Sequence, residues 1–208
     1  MKLVKQTFSA QGREICLYEA EGKSKDKTIL VIGVVHGEEP QGKTLIENCK
    51  FVGKHRTLLI PCLNPDGYSA CERQNSNGVD LNRSFPTKNW VRSERNQYFG
   101  GDTPESEIET RFVIEVFEEY NPDVILTVHA PYKVVNYDGP ASEYAQGISK
   151  IIGYETSSDI GYPTPGSMGN YFGVERNVPI ITLELDEEVS VECYQDKFNR
   201  IIEYLANV

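Results

Sequence analysis

The sequence predicts an α/β fold: one domain over residues 1–208, built on a mostly parallel, mixed sheet with helices on both faces. Three observations point there. Residues 28–35 (TILVIGVV), 57–61, 123–128 and 180–185 are short apolar runs, rich in β-branched residues where they are longest, and they suit strands buried on both faces. Segments with helical spacing lie between them, and strands that alternate with helices build parallel sheets. A chain of 208 residues buries a sizeable core without a second domain.

Taken in order, the run 28–35 is the first strand, and Pro40 opens a helix through about Phe51, because proline suits a first helical turn. Residues 57–61 form a second strand that ends at Asn64-Pro65-Asp66-Gly67, a turn signal. From there to Asp102 the chain is rich in Asn, Gly, Ser and Arg and shows no period; a loop that long is usually functional. Thr103-Pro104-Glu105 starts a helix that puts Ile108, Phe112, Val113, Val116, Phe117 and Tyr120 on one face. Residues 123–128 and 180–185 are the third and fourth strands, and Tyr194, Phe198, Ile201, Ile202 and Leu205 mark an amphipathic last helix.

Charge and cysteine usage narrow the function classes. A net charge of -10 argues against non-specific nucleic-acid binding and against docking on anionic lipid. No stretch of eighteen apolar residues exists to span a membrane, and residues 1–11 lack the apolar core of a signal peptide. The five cysteines are odd in number and scattered without a C-x-x-C pair, so they read as reduced thiols, several of them buried. The expected location is the cytoplasm. Oligomeric state is left open.

Ligands of such sheets gather at the carboxyl ends of strands, where His36, Asn64, His129 and Glu184 fall. His36 and Glu39, three residues apart, together with the distant His129 give the donor set of a catalytic zinc, two histidines and one glutamate, with a fourth position open for water. A carboxylate nearby can take a proton from that water. Singly each is weak, since a histidine at a strand end is often a satisfied polar residue. His55, the third histidine, sits in a polar loop and is expected to be solvated.

The irregular loop adds Arg73, Asp80, Asn82 and Arg83. A guanidinium fork suits a substrate carboxylate, with Asn82 as a further donor; the plainer alternative is surface ion pairing. Asp80 is placed to accept from the His36 nitrogen that faces away from the metal. Glu184 stands inside an apolar strand, which is costly unless it serves a site or the strand is an edge. Tyr162 lies in a turn-rich segment that can carry it over the site.

In this order, HGEE, NPDGY, NGVDLNRSFP, the strand ending in His129, YPTPGS and TLEL resemble the zinc carboxypeptidase family from about residue 28 to 185. NGVDLNRSFPTKNW, GGDTPESEIET and GYPTPGSMGNY are similar to a small bacterial branch of it that acts on murein peptides. The resemblance implies one zinc ion on His36, Glu39 and His129, with Glu184 as general base and acid. It further implies that Arg73 stabilises the oxyanion, Asn82 and Arg83 grip the terminal carboxylate, and Tyr162 closes over it. Met168, after Ser167, takes the position that sets side-chain preference in many relatives, and being uncharged it names no specificity.

The expected activity is hydrolysis of the γ-D-glutamyl–meso-diaminopimelate bond of a small murein peptide with a free terminal carboxylate. The alternatives are a metallocarboxypeptidase on α-linked peptides, an N-acyl amino acid deacylase of the succinylglutamate desuccinylase or aspartoacylase type, and an inactive binding module. NPDGY and YPTPGS argue for the peptidase side, and the intact donor set with Glu184 argues against the inactive module.

Overall fold

A computed structural model describes residues 1–20, 22, 24–50 and 53–208. Its strands are β1 (Lys2–Phe8), β2 (Glu14–Ala20), β3 (Ser24–Gly33), β4 (His55–Ile60), β5 (Val124–His129), β6 (Val134–Asp138), β7 (Glu155–Ser157) and β8 (Ile180–Glu184). They form one sheet in the order β1-β2-β4-β3-β5-β8-β6-β7. The centre, β4-β3-β5-β8, is parallel. A hairpin of β1 and β2 adds antiparallel to β4, and β6 adds antiparallel to β8. The sheet is therefore mixed around a parallel core, as the doubly apolar strand sequences require.

Side chains alternate between two cores. Val31, Leu126, Val128, Ile181 and Leu183 face α1 (Gln41–Glu47), α4 (Ser142–Ile152) and α5 (Gln195–Leu205), meeting Leu45, Ile148 and Phe198. Leu30, Ile32, Leu58 and Ile125 face the other way, onto Phe112 and Val113 of α3 (Ile108–Tyr120) and onto Phe85 and Phe172. Each such phenylalanine, fully withdrawn from water, stabilises by about 1.5–3 kcal/mol.

Several expectations shift. α1 stops at Glu47 with Asn48 as its cap, and the expected end at Phe51 lies outside the described residues. The NPDG segment is a short helix, α2 (Pro65–Ala70), rather than a bare turn: the Asn64 side chain accepts from the Gly67 N–H, and proline occupies the first helical position. α3 begins at Ile108 because residues 103–107 form turns. His55 is buried at the start of β4, not solvated. All five cysteines are free thiols, but three are half-buried and two exposed, so none is fully in the core. β8 lies between β5 and β6, which removes the edge-strand explanation for Glu184. Among the described residues no helix is long and apolar enough to cross a membrane.

Candidate metal centre

The site forms where β3 and β5 lie side by side and the connections from them leave in opposite directions, the place where open α/β sheets bind ligands. Past Gly33 the chain turns sharply. Val34 has φ 51, a left-handed conformation that a β-branched residue adopts only when its surroundings impose it. The imposing contacts are N–H donors from the end of β4: Leu63 to the Gly33 carbonyl (3.1 Å) and Asn64 to that of Val34 (2.9 Å). Gly37 follows, and a Cβ there would collide with the Gly67 backbone, so only glycine lets the two loops close on each other. This turn aims His36 and Glu39 back over the sheet, toward His129 at the end of β5 and Glu184 beside it in register.

The three expected ligands converge and are buried. His36 Nδ1 lies 2.8 Å from Glu39 Oε1, His129 Nδ1 lies 2.8 Å from Glu39 Oε2, and the two Nδ1 atoms are 3.2 Å apart. Ligands about 2.0 Å from a tetrahedral zinc stand roughly 3.3 Å from one another, so the set fits with small adjustments. His36, Glu39 and His129 make the one metal-competent group of His, Cys, Asp and Glu among the described residues. Burial pushes the His36 pKa down, but the carboxylates of Glu39 and Asp80 outweigh it and raise it to about 9, so the pocket attracts positive charge.

Asp80 ties the centre to the loop. Its Oδ1 lies 3.2 Å from His36 Nε2, leaving Nδ1 for the metal, and also accepts from the Asn82 N–H at 2.9 Å. Its Oδ2 accepts from Arg73 Nε and Nη2 at 3.0 and 2.9 Å. Burial opposes the Asp80 charge, yet His36 and then Arg73 and Arg83 hold its carboxyl well below the usual range. Held in this way, Arg73 points Nη1 at the centre, 3.3 Å from His36 Nδ1.

A cavity of about 390 Å³ opens over these groups, lined also by Glu184, Asn82, Arg83 and Tyr162. Glu184 is 5% exposed, and its Oε2 has no hydrogen-bond partner among the described residues. Burial raises the Glu184 pKa, with His129 opposing. The Asn82 side-chain carbonyl accepts from the Met168 N–H (2.9 Å), which leaves its amide N–H groups for the cavity. Arg83 donates to the Asn82 carbonyl at 2.7 Å and lies against the Tyr98 ring. Met168 is the exception: its side chain is 2% exposed, belongs to the core with Phe85 and Phe172, and does not line the cavity. Sequence reasoning missed Asn136, Asp138 and Thr182, which line the floor. Asn136 and Asp138 lie on a short strand that carries no motif, and Thr182 opens the TLEL run, where the glutamate drew notice and the threonine did not.

This geometry defines a class, a metal-dependent hydrolase with a centre of two histidines and a carboxylate at the carboxyl edge of an α/β sheet. The zinc carboxypeptidase family profile matches residues 1–146, and the chain belongs to that family. It is thus a zinc metallopeptidase or amidase, whose family cofactor is a single zinc ion. Murein peptide amidase A of Vibrio campbellii is 27% identical over 94% of this chain and 85% of its own length. The Escherichia coli K12 protein of that name is 28% identical over 85% and 78%. Among solved structures, murein-tripeptide amidase from Escherichia coli O157 superposes with a TM-score of 0.79 at 25% identity, covering 96% of this chain and 88% of its own. Thrombin activatable fibrinolysis inhibitor gives 0.77 at 16% identity over 98% and 70%, a likeness of fold.

Proposed function

We propose that this enzyme hydrolyses the bond between γ-D-glutamate and meso-diaminopimelate in murein peptides, acting in the cytoplasm in the recycling of cell-wall peptides. The observation that carries the reading is the meeting, in one cavity, of the His36–Glu39–His129 donor set, the Glu184 carboxylate, and Asn82 beside Arg83. The murein peptide amidase relatives support a murein peptide as the substrate. Five unpaired thiols suit a reducing compartment.

Zinc, when bound by His36, Glu39 and His129, supplies Lewis acidity and brings the ionisation of water near neutral pH. Arg83 and the Asn82 amide hold the terminal carboxylate of the substrate, and that grip sets which bond lies over the centre. Glu184 accepts the proton of the attacking water on its carboxylate. Its burial favours this role, because a carboxylate with a raised pKa is a better base near neutral pH. Arg73, locked by Asp80, donates from Nη1 to the scissile carbonyl oxygen as negative charge grows there. Glu184 then returns the proton to the leaving amine, and Tyr162 covers the site.

Amine release by the zinc-loaded protein from L-Ala-γ-D-Glu-meso-diaminopimelate, an α-linked tripeptide and an N-acyl amino acid tests the substrate. Turnover of the first compound is expected. Turnover confined to the second or third overturns the assignment.

A further inference from the structure

Arg83 is buried, at 6% exposed, yet it forms no ion pair among the described residues. Its guanidinium donates to a backbone acceptor, the Asn82 carbonyl. The negative charge of Asp80 reaches Arg83, but the Asp80 oxygens are occupied by Arg73, His36 and the Asn82 N–H. A cation withdrawn from water without a paired anion is costly, and its long side chain is free to turn unless something else holds it.

The Tyr98 ring is placed to do so. Arg73 Cζ lies 5.3 Å and Arg83 Cζ 5.7 Å from its centroid. An aromatic face attracts a cation at that range, and the attraction uses the charge rather than a particular N–H, so the donors stay available for a substrate carboxylate. The backbone around the ring is clamped to the turn that carries Arg83. The Asp80 N–H donates to the Phe99 carbonyl at 2.8 Å, and a Cβ on Gly100 would collide with the Arg83 carbonyl oxygen. On the Arg73 side, Gln74 Nε2 donates to the Asn96 carbonyl at 2.8 Å, and the Asn96 side chain accepts from the Tyr98 N–H at 2.8 Å. The ring lines the cavity over the metal centre and also a second cavity of about 370 Å³, which Arg83 and Tyr162 share with it. No hydrogen bond holds its hydroxyl among the described residues.

We propose that Tyr98 is a positioning residue for the substrate carboxylate, its ring holding the Arg83 guanidinium in the place of an ion-pair partner. Arg73 lies against the ring too, but two hydrogen bonds to Asp80 hold it as well. The two arginines therefore depend on Tyr98 unequally. Loss of the ring loosens the carboxylate grip and leaves the oxyanion donor in place, so the effect falls on KM rather than on kcat. The inference rests on the role given to Arg83 above and not on which bond is cleaved, and its test keeps the two apart.

The experiment measures steady-state kinetics of zinc-loaded wild type, Tyr98→Leu and Tyr98→Phe, with zinc content and thermal midpoint as checks on folding. Tyr98 is 43% exposed, so removing its ring leaves the core intact. The substrates are γ-D-glutamyl and α-linked peptides, each with the carboxylate of the leaving residue free or converted to the carboxamide. Tyr98→Leu should raise KM for the free carboxylate about tenfold, with kcat within about threefold of wild type. The preference for carboxylate over carboxamide in kcat/KM should fall by about the same factor, because the amide makes no use of the Arg83 charge. Tyr98→Phe keeps the ring and should return both values to within about twofold of wild type.

The same pattern confined to the α-linked series keeps Tyr98 in this role and overturns the γ-D-glutamyl reading. Cleavage of γ-D-glutamyl peptides by Tyr98→Leu with unchanged KM and unchanged carboxylate preference does the reverse. A fall in kcat alone, or Tyr98→Phe as impaired as Tyr98→Leu, also overturns the positioning role. If neither series is cleaved, binding of L-norleucine and L-norleucinamide to the zinc-loaded proteins, followed by NMR titration, decides. A carboxylate preference that narrows in Tyr98→Leu and returns in Tyr98→Phe supports the role, and one that stays the same in all three proteins overturns it.

Discussion

Asp80 connects the chemistry most tightly at the level of single residues. One oxygen fixes the His36 ring and caps the turn that carries Asn82 and Arg83, while the other fixes Arg73. On the proposed roles, its replacement loosens metal, oxyanion donor and carboxylate grip together. Asp80→Asn should weaken zinc binding by about 10–100-fold, as loss of a ligand's supporting carboxylate does, and should lower kcat. Competition with a chelator measures the affinity, and an unchanged value removes Asp80 from this role. Its contact with His36 was legible in the sequence because D-L-N-R sits in a long loop at the sheet edge that carries a candidate metal motif, whereas its hold on Arg73 was not. Asp138 was not legible either, since its place at the cavity floor depends on strand register, which no local pattern shows.

The element that positions the loop is α3, through a buried acidic node at its start. Asn75 Nδ2 donates to Glu107 Oε2 at 2.7 Å and reaches Glu109 Oε2 at 3.4 Å, while Asn77 Nδ2 donates to Glu107 at 2.8 Å. Glu109 Oε1 has no partner among the described residues. Burial, opposed by its own backbone N–H and assisted by the Glu107 charge, raises the Glu109 pKa from 4.5 to about 7. A carboxyl with a raised native pKa binds more protons folded than unfolded. Its contribution to stability is therefore full below about pH 4.5 and is lost as pH rises through about 7. The span corresponds to about 3 kcal/mol. Glu109→Gln should be more stable than wild type at pH 8, with the advantage shrinking toward pH 5, in urea denaturation at both values. Parallel pH profiles for the two proteins would contradict this account.

At the scale of the whole molecule, the apolar runs of β3, β4, β5 and β8 revealed the parallel centre of the sheet because strands buried on both faces need no polar alternation. β1, β2, β6 and β7 escaped notice because they flank the parallel centre, where exposed and buried positions mix and the period blurs. The same distinction governs the site. Residues at the ends of central strands, His36, His129 and Glu184, could be found from sequence, whereas the cavity floor depends on the antiparallel β6. The whole cavity thus combines the buried His36–Glu39–His129 group with the Arg83 guanidinium and the Asp138 carboxylate. That ordering of charge suits a small zwitterionic peptide.

The central claim is that Glu184 moves the proton while His36, Glu39 and His129 hold the metal. Zinc content and turnover of L-Ala-γ-D-Glu-meso-diaminopimelate, measured on the same samples of wild type and Glu184→Gln, test it most directly. One zinc per chain in both proteins, with turnover lower in the variant by about 10²–10⁴-fold, is the predicted result. Turnover that survives the substitution, or zinc lost along with it, would contradict the division of roles.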